Sequence, residues 1–447
     1  MQTEETSSPH LKKTLGPWML WGLGVGYVIS GMYFGWNLGL PVGGTYGMAL
    51  ATIVITIMYF TFTFSYSELA CAIPKAGGAF DYANVALGKD LGFIVGMAQN
   101  IEFIFAPPAI AFAIGAYFHI FFPSISIIAI AIVAYLIFTG LNIYGVKAAA
   151  SFELLITILA VGELLLFAGV TLPHFQMVKF TADPLPKGWT GAFAAIPFAI
   201  WFFLGIECVA NVAEEAVNPQ RNILIGFGSA ILTLIALCAL TFMGAVGVDG
   251  WKSVVFVSGT ETTSDSPLPM ALSLLVGNSH LLYHLLITVG LFGLIASFHG
   301  IILAAGRSTY EFSKVGYAPI FLGKINSKFS TPANALIVNM LLGIVALLTG
   351  RTGDIITIAC FGALTLYIIS MVSLFVLRKK QPELTRPFKV PLYPIFPALA
   401  LIIAVVSFVA MSIYNQQLSI IYIGMMVLAF ICFKVFYCKD AEALEKV

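Results

Sequence analysis

The stretch Trp201-Phe202-Phe203-Leu204-Gly205-Ile206-Glu207 places a carboxylate directly after an aromatic run that contains a glycine. Glu102 and Glu163 lie in two other long apolar stretches, and none of the three stretches contains lysine or arginine. A carboxylate at membrane depth with no fixed cation nearby either holds a proton or pairs with a cation from outside. These acids therefore indicate a membrane protein that carries positive charge, as protons, as a cationic substrate or as both.

The composition is typical of a polytopic membrane protein. Of the 447 residues, 60% are hydrophobic and 10% are charged, whereas about 25% are charged in soluble domains. No charged residue occurs between Lys13 and Glu68, which is enough chain for two membrane helices at about 20 residues each. The net charge is +1, so no nucleic-acid partner is expected. The six cysteines contain no C-x-x-C pair and are interpreted as reduced core residues.

Apolar windows between polar or Gly/Pro breaks predict an all-α protein with twelve membrane spans. The predicted spans are 17–44, 47–67, 92–120, 125–144, 150–172, 190–213, 223–247, 281–306, 333–350, 354–377, 393–414 and 418–433. Residues 1–16 and 434–447 are predicted to be short tails, and the longest loop between spans is predicted at 248–280.

Basic residues predict the orientation, because cytoplasmic loops carry an excess of lysine and arginine. With the N-terminus in the cytoplasm, 18 of the 22 basic residues fall on inner segments. Only Lys179, Lys187, Lys252 and Arg351 fall on outer segments. The prediction is a multi-pass protein of the cell (plasma or inner) membrane with both termini in the cytoplasm.

Two predicted spans, five spans apart, place glycine and polar atoms near the middle of the membrane. Span 1 contains Ile29-Ser30-Gly31-Met32-Tyr33-Phe34-Gly35-Trp36, and span 6 contains the stretch 201–207. Glycine lowers the cost of leaving helical geometry, and interrupted segments in corresponding positions of two halves point to a transporter site. The alternative is that Gly31 and Gly205 are glycines at helix-packing contacts.

Four motifs resemble the amino acid–polyamine–organocation (APC) family of permeases, and the ethanolamine permease branch most closely. Together they extend from Glu68 to Pro394, so the resemblance covers nearly the whole chain. The motifs are Glu68-Leu69-Ala70 with Ile73-Pro74-Lys75-Ala76-Gly77-Gly78, Leu141-Asn142-Ile143-Tyr144-Gly145-Val146-Lys147, Ile200 to Glu207 with Glu214-Glu215 and Asn218-Pro219, and Arg386-Pro387-Phe388-Lys389-Val390-Pro391-Leu392-Tyr393-Pro394.

The resemblance implies the leucine-transporter-like fold. Its two inverted five-span repeats would occupy 17–172 and 190–377, and two further spans would occupy 393–433. It also implies alternating access around a site between spans 1, 3, 6 and 8. Proton coupling or substrate exchange is common in such a family.

Glu207 is the first candidate for the site, because it matches an acid implicated in proton or cation handling in amino acid carriers of the family. The aromatic residues Trp201, Phe202 and Phe203 can surround an ammonium group, a cation–π contact worth up to about 2 kcal/mol when dry. The alternative role for each ring is lipid contact or core packing. The alternative role for Glu207 is structural, as an acid that binds freed backbone amides.

Ser30 and Gly31 match the family's interruption of span 1, which usually reads Gly-Ser-Gly and binds the substrate's carboxylate through backbone amides. Here Ile29 holds the first position, and a bulky branched residue hinders close approach to the backbone. This departure favours a substrate that has an ammonium and a hydroxyl but no carboxylate, such as ethanolamine. Tyr33 lies in the same stretch and joins the predicted binding residues.

Three further residues are candidates for proton coupling or the binding site. Glu102 lies five residues before Pro107-Pro108 and either faces a cavity or bonds to a neighbouring span. Glu163 is a candidate second proton site in span 5, where some family members carry a lysine and this chain has Ala160 at the matching position. His299 lies in span 8, and because histidine as a residue type titrates near neutral pH, it has either a gating or proton role or a packing role.

Other charged residues are predicted to lie near the cytoplasmic ends of spans. Glu153 is interpreted as a solvated or paired residue at the edge of span 5. Glu214 and Glu215 are expected to form an ion-pair cluster near Arg221.

The sequence therefore predicts a secondary transporter, not an enzyme, that imports a small cationic amine, first of all ethanolamine, across the lipid bilayer. Proton coupling or exchange is the expected driving force, with sodium as the alternative ion. No metal or cofactor is expected, because no metal-ligand spacing, phosphate-binding loop or nucleophile elbow is present. The alternatives are a basic amino acid or polyamine exchanger of the same fold, and a transporter-like sensor that binds without translocating. The oligomeric state stays open.

Overall fold

A computed structural model describes residues 14–75, 77–145 and 149–437. Of the predicted tails, residues 1–13 and 438–447 lie outside this part of the chain. Across the described ranges the chain forms helices and loops and no β-strand. The face that holds most of the basic loops is called the inner face.

Seventeen α-helices occur in the described residues. They are α1 (Pro17–Val28), α2 (Ser30–Tyr33), α3 (Leu40–Ala72), α4 (Ala79–Leu87), α5 (Lys89–Phe121), α6 (Ile127–Tyr144), α7 (Ala149–Thr171), α8 (Met177–Phe180), α9 (Gly191–Ala194), α10 (Ile196–Trp201), α11 (Pro219–Asp249), α12 (Pro267–Val276), α13 (Leu281–Lys314), α14 (Ala333–Leu347), α15 (Thr352–Lys380), α16 (Ile395–Tyr414) and α17 (Gln416–Cys432). Short 3-10 turns cover Trp36–Gly39, Leu172–His174, Ile206–Glu215, Trp251–Val254 and Ile320–Gly323, and a π turn covers Phe433–Tyr437.

Nine helical segments in the described residues are long and apolar enough to cross a membrane. They are Trp36–Ala72, Lys89–Phe121, Ile127–Tyr144, Phe152–His174, Arg221–Asp249, Leu281–Lys314, Thr352–Lys380, Ile395–Tyr414 and Gln416–Phe436. The other three predicted spans correspond to two interrupted segments, at 17–44 and 190–213, and to the shorter helix α14. The total of twelve spans therefore stays a prediction.

The centre of the bundle is formed by α5, α13 and α15. These helices are largely buried by protein, whereas α6, α16 and α17 expose most of their apolar surface. α5 packs against both α15 and α13, and it continues as a helix through Pro107 and Pro108. Any side chain on the inward faces of these three helices therefore lies in protein and not in lipid.

The predicted loop at 248–280 contains regular structure. After α11 ends at Asp249, a 3-10 turn and α12 follow before α13 begins at Leu281. This outer segment is joined to span 1, because Asn37 Nδ2 donates to Val254 O (3.2 Å) and to Ser264 O (2.8 Å). A second unpredicted helix, α4, lies between predicted spans 2 and 3.

Candidate functional site

Span 1 is opened by a side chain of α13. Ser297 Oγ donates to Gly26 O (2.6 Å) and accepts from Ser30 N (2.9 Å). These are the two backbone groups that an uninterrupted helix would join to each other. The hydroxyl therefore replaces one bond of the helical ladder at the predicted interruption.

A second interruption of span 1 follows one turn later. α2 ends at Tyr33, Phe34 is fully extended, and Gly35 has φ +87°. A positive φ of this size is rare for residues with a Cβ. The chain then turns through Trp36–Gly39 into α3.

Span 6 is also interrupted, and its interruption touches that of span 1. α10 ends at Trp201, and Gly205 has φ +95° before the 3-10 turn Ile206–Glu215 begins. A Cβ on Gly31 would lie 2.4 Å from Trp201 O and 3.0 Å from Phe202 Cα. The two interrupted segments therefore meet backbone to backbone, and Gly31 lies at the contact.

The predicted aromatic residues are all buried in protein. Phe34 and Trp201 pack edge to face at 5.4 Å between ring centres, and Trp36 stacks on Phe202 at 5.8 Å. Phe203 contacts Tyr59 at 5.3 Å. Lipid contact is therefore not the role of these rings. Trp201 Nε1 has no hydrogen-bond partner among the described residues.

Glu207 lies deep in the bundle, with 1% of its surface exposed. Its Oε2 accepts from Tyr367 Oη of α15 (2.9 Å), and Tyr367 Oη lies 3.0 Å from Tyr59 Oη of α3. Its Oε1 has no partner in the described part of the chain.

Glu102 projects from α5 toward the same place. It is 1% exposed, and its carboxyl lies within hydrogen-bonding reach of Glu207. Two ionised carboxylates only accept, so a bond between them requires that one holds a proton. With both ionised, neither oxygen of Glu102 has a donor among the described residues. The structure thus brings together two of the three acids that the sequence indicated.

Glu163 has different partners. Its Oε2 accepts from Tyr33 Oη (2.7 Å), which also lies 3.2 Å from Ala160 O. The Tyr33 ring packs on α13, where a Cβ on Gly293 would lie 2.5 Å from it. Tyr33 therefore links α2 to α7 and does not contact the Glu102–Glu207 pair through its hydroxyl.

His299 faces α7. Its Nδ1 lies 3.8 Å from Glu153 Oε2. Glu153 is only 3% exposed, so the prediction that it lies at a solvated edge is wrong, and the paired reading is confirmed. Burial follows because α1 and α13 both cover this part of α7.

The inner ends of spans 1 and 6 are joined. Backbone amides of Thr14 and Leu15 donate to Glu215 O at 2.9 and 3.0 Å. Glu215 Oε1 accepts from Arg307 of α13 (2.7 Å), so the predicted partner Arg221 is replaced by a residue that is distant in sequence. The side chain of Glu214 lies outside the described residues.

Sequence reasoning missed Tyr367 and Tyr59. Nothing in the sequence distinguishes them from the other tyrosines among the 17 in the chain, because their position beside Glu207 depends on contacts between distant helices. The role of Ser297 in opening span 1 also depends on the position of Gly26 in space, which no local pattern contains.

Comparison with known proteins places this chain among transporters. The sequence profile described as amino acid permease matches residues 15–431. An uncharacterized transporter of Rhizobium meliloti (strain 1021) is 26% identical, over 92% of this chain and 89% of its own length. A methylthioribose transporter of Bacillus subtilis (strain 168) is 25% identical over 89% and 88% of the two chains. Cationic amino acid transporter 1 of Arabidopsis thaliana is 26% identical over 84% and 64%. The matched family consists of membrane transporters and not of enzymes.

Proposed function

The chain belongs to the amino acid permease family, and we propose that it is a secondary transporter that imports a small cationic amine, first of all ethanolamine. Alternating access with proton coupling or exchange would drive the uptake. The protein would reside in the cell membrane with both termini in the cytoplasm. Residues 17–172 and 190–377 would form two inverted repeats, followed by the spans in 393–433.

The Glu102–Glu207 pair carries this proposal. Both carboxyls are buried, and no lysine or arginine among the described residues bonds to either one. A charged side chain at mid-membrane costs about 2.5–3.5 kcal/mol on insertion scales. One proton or one ammonium group placed between the two carboxyls offsets part of this cost. Alternate occupancy by proton and amine is the simplest basis for coupling or exchange.

The neighbourhood of Ile29 supports an amine without a carboxylate. Ile29 is fully buried, and the amide of Ser30 is already bonded to Ser297 Oγ. A substrate carboxylate would therefore face two acids and lack the amide that carriers of α-amino acids offer at this position. We place the substrate's hydroxyl beside Ser30, Gly31 and Trp201, whose Nε1–H has no other partner among the described residues.

A basic amino acid or polyamine exchanger is the nearest alternative. Two carboxyls also suit a guanidinium or a second ammonium group, and one relative is named a cationic amino acid transporter. A sensor that binds without translocating is the other alternative. Uptake and competition assays separate the three.

The test is uptake of labelled ethanolamine into liposomes that contain the purified protein, with imposed pH and sodium gradients. We expect accumulation that responds to the pH gradient or to internal unlabelled amine, and that excess unlabelled ethanolamine abolishes. Strong inhibition of uptake by arginine or agmatine, with none by ethanolamine, would reject ethanolamine as the substrate and favour the basic amino acid or polyamine exchanger. Ligand binding without any uptake would favour the sensor.

Glu207→Gln tests the role of the pair. The amide keeps the shape but carries no charge, so we expect uptake to fall at least about tenfold, which corresponds to roughly 1.4 kcal/mol. Glu383→Gln is the matched control, because Glu383 is exposed and its variant should match wild type. Near-normal uptake by a folded Glu207→Gln protein would remove Glu207 from the mechanism.

A further inference from the structure

A second buried acid lies beside a histidine, apart from the Glu102–Glu207 pair. Glu153 of α7 and His299 of α13 approach to 3.8 Å, and their exposed fractions are 3% and 8%. Glu153 Oε1 has no hydrogen-bond partner among the described residues. An exposed ion pair contributes little to the stability of the folded protein. Removal of either charge from a buried pair is strongly destabilising, because the other charge is left without a partner.

The pair faces the backbone of α1. A Cβ on Gly26 would lie 2.7 Å from Glu153 Oε1 and 2.8 Å from Thr157 Oγ1. Gly26 O is also the carbonyl that accepts from Ser297, two residues before His299. The pair therefore lies where α1, α7 and α13 meet, at the opened turn of span 1.

Few other titratable groups face this pair from the helices around it. α1 presents Tyr27, which also interacts electrostatically with Glu153, Cys208 and the Arg307–Glu215 pair. α6 presents the ring of Phe138 and the amide of Asn142, which lies 3.4 Å from His299 O. Besides Tyr27, Glu153 and His299 are thus the titratable side chains at this meeting point in the described part of the chain.

We propose that Glu153 and His299 form a second proton-binding site that controls the docking of α1. With the proton on His299, the ion pair spans α7 and α13 and α1 stays in place. When the proton leaves His299 Nδ1 for water at the inner face, Glu153 becomes a buried carboxylate without a cation. Displacement of α1 then admits water to that carboxylate. The role in transport rests on the proposed function, whereas the site itself does not.

The first test needs no substrate. Thr157 is fully buried on α7, and Thr157→Cys in a background with all six cysteines changed to alanine reports whether α1 has moved. Maleimide labelling rates of the purified protein are measured at pH 5.5 and pH 7.5, with His299 present and in His299→Gln.

Histidine is the side-chain type whose charge ordinarily changes between pH 5 and pH 8, so the proposed site should lose its proton between the two pH values measured. We therefore expect the ratio of the rates at pH 7.5 and pH 5.5 to be at least about fivefold larger with His299 than without it. The intrinsic pH dependence of the maleimide reaction is the same in both proteins, so it cancels when the two ratios are compared. Equal ratios would overturn the proposal.

The second test uses transport. The pH profile of ethanolamine counterflow is measured for Glu153→Gln, His299→Gln and the double variant, with His284→Gln of the same helix as control. We expect both single variants to lose the wild-type pH response and the His284→Gln control to keep it. The counterflow rate of the double variant should match that of the slower single variant within about twofold, because the two residues act as one unit.

A variant with the two residues exchanged, Glu153→His with His299→Glu, should restore the labelling ratio, which also covers the case in which a single variant does not fold. The proposal that Glu153 and His299 act as a pair would be refuted by either of two results. One is a single variant that keeps the wild-type pH profile, and the other is a double variant in which the rate reductions of the single variants multiply. Absence of ethanolamine transport by wild type would refute only the proposed substrate, because the labelling result stands without it.

Discussion

Gly31 illustrates how one residue determines the approach of two segments. The nearest atoms to a Cβ at this position are the backbone atoms Trp201 O and Phe202 Cα, at 2.4 and 3.0 Å. Backbone cannot move aside as a flexible side chain can, so alanine here must push α2 away from α10. Both segments carry residues of the candidate site.

We expect Gly31→Ala to reduce uptake by about tenfold or more, because misplacement of binding groups by about 1 Å costs roughly that much or more. The measurement is the initial uptake rate, with the midpoint of thermal inactivation as a second readout. Gly140→Ala is the control, since nothing lies within 4 Å of a Cβ there. Uptake equal to wild type in Gly31→Ala would show that the contact is dispensable.

At the residue scale the sequence indicated the acids but not their partners. Glu102, Glu163 and Glu207 were found because a charge in an apolar stretch is rare. That Glu102 meets Glu207 while Glu163 bonds to Tyr33 follows from the packing of α5 and α7, which no local pattern contains. The interruption near Gly205 was predictable, because glycine and a polar residue fall together in an apolar segment.

At the element scale, one carboxylate joins the inner ends of α3 and α15. Glu68 is buried, and Arg378 donates to its two oxygens at 2.8 and 2.6 Å. Val390 N adds a bond of 2.7 Å, and Arg386 Nε lies 3.4 Å away. The motifs at Glu68 and at Arg386 to Pro394 therefore meet in space and fix the inner ends of two helices.

Removal of this charge should destabilise the protein. Breaking a buried ion pair by neutralising one partner costs about 3–5 kcal/mol, so we expect Glu68→Gln to lower the thermal inactivation midpoint by several degrees. Asp354→Asn breaks the exposed pair with Arg351 at the other end of α15, and exposed pairs contribute at most about 1 kcal/mol. Equal midpoints for the two variants would contradict this account.

Long elements were predictable from the sequence and short ones were not. Helices such as α5, α11 and α15 coincide with predicted spans because about 20 apolar residues define a membrane helix. α4 and α12 have 9 and 10 residues, which is too short for a membrane span, so a search for long apolar stretches does not find them. The 15-residue helix α14 is also shorter than its predicted span.

At the scale of the whole molecule, the candidate site is closed toward both faces. Trp201, Glu102 and Glu207 are each at most 3% exposed. On the inner side, Thr14 and Leu15 bond to Glu215. On the outer side, the segment 251–266 is held by Asn37 and by Thr352, whose Oγ1 donates to Asp265 Oδ2 (3.0 Å). The proposed alternating access requires that these contacts break in turn.

Asp265 should make the outer closure dependent on pH. It lies between α11 and α13, and burial raises the pKa of its carboxyl to about 6, although the bond from Thr352 opposes this rise. The closed form therefore binds a proton more tightly than an opened form, in which the pKa returns to about 3.9. Closure is favoured at low pH and weakens as the pH rises from about 4 to about 6, with no further change above that range.

The measurement is amide hydrogen exchange of segment 251–266 at pH 4, 5, 6 and 7, in wild type and in Asp265→Asn. Comparison at equal pH removes the intrinsic dependence of exchange on pH. Asparagine can still accept from Thr352 but does not ionise, so we expect the variant to stay protected at pH 6 and 7, where wild type opens more often. Equal protection of wild type and Asp265→Asn at pH 7 would show that ionisation of Asp265 does not weaken the outer closure. It would exclude Asp265 as the origin of any pH dependence at the outer face.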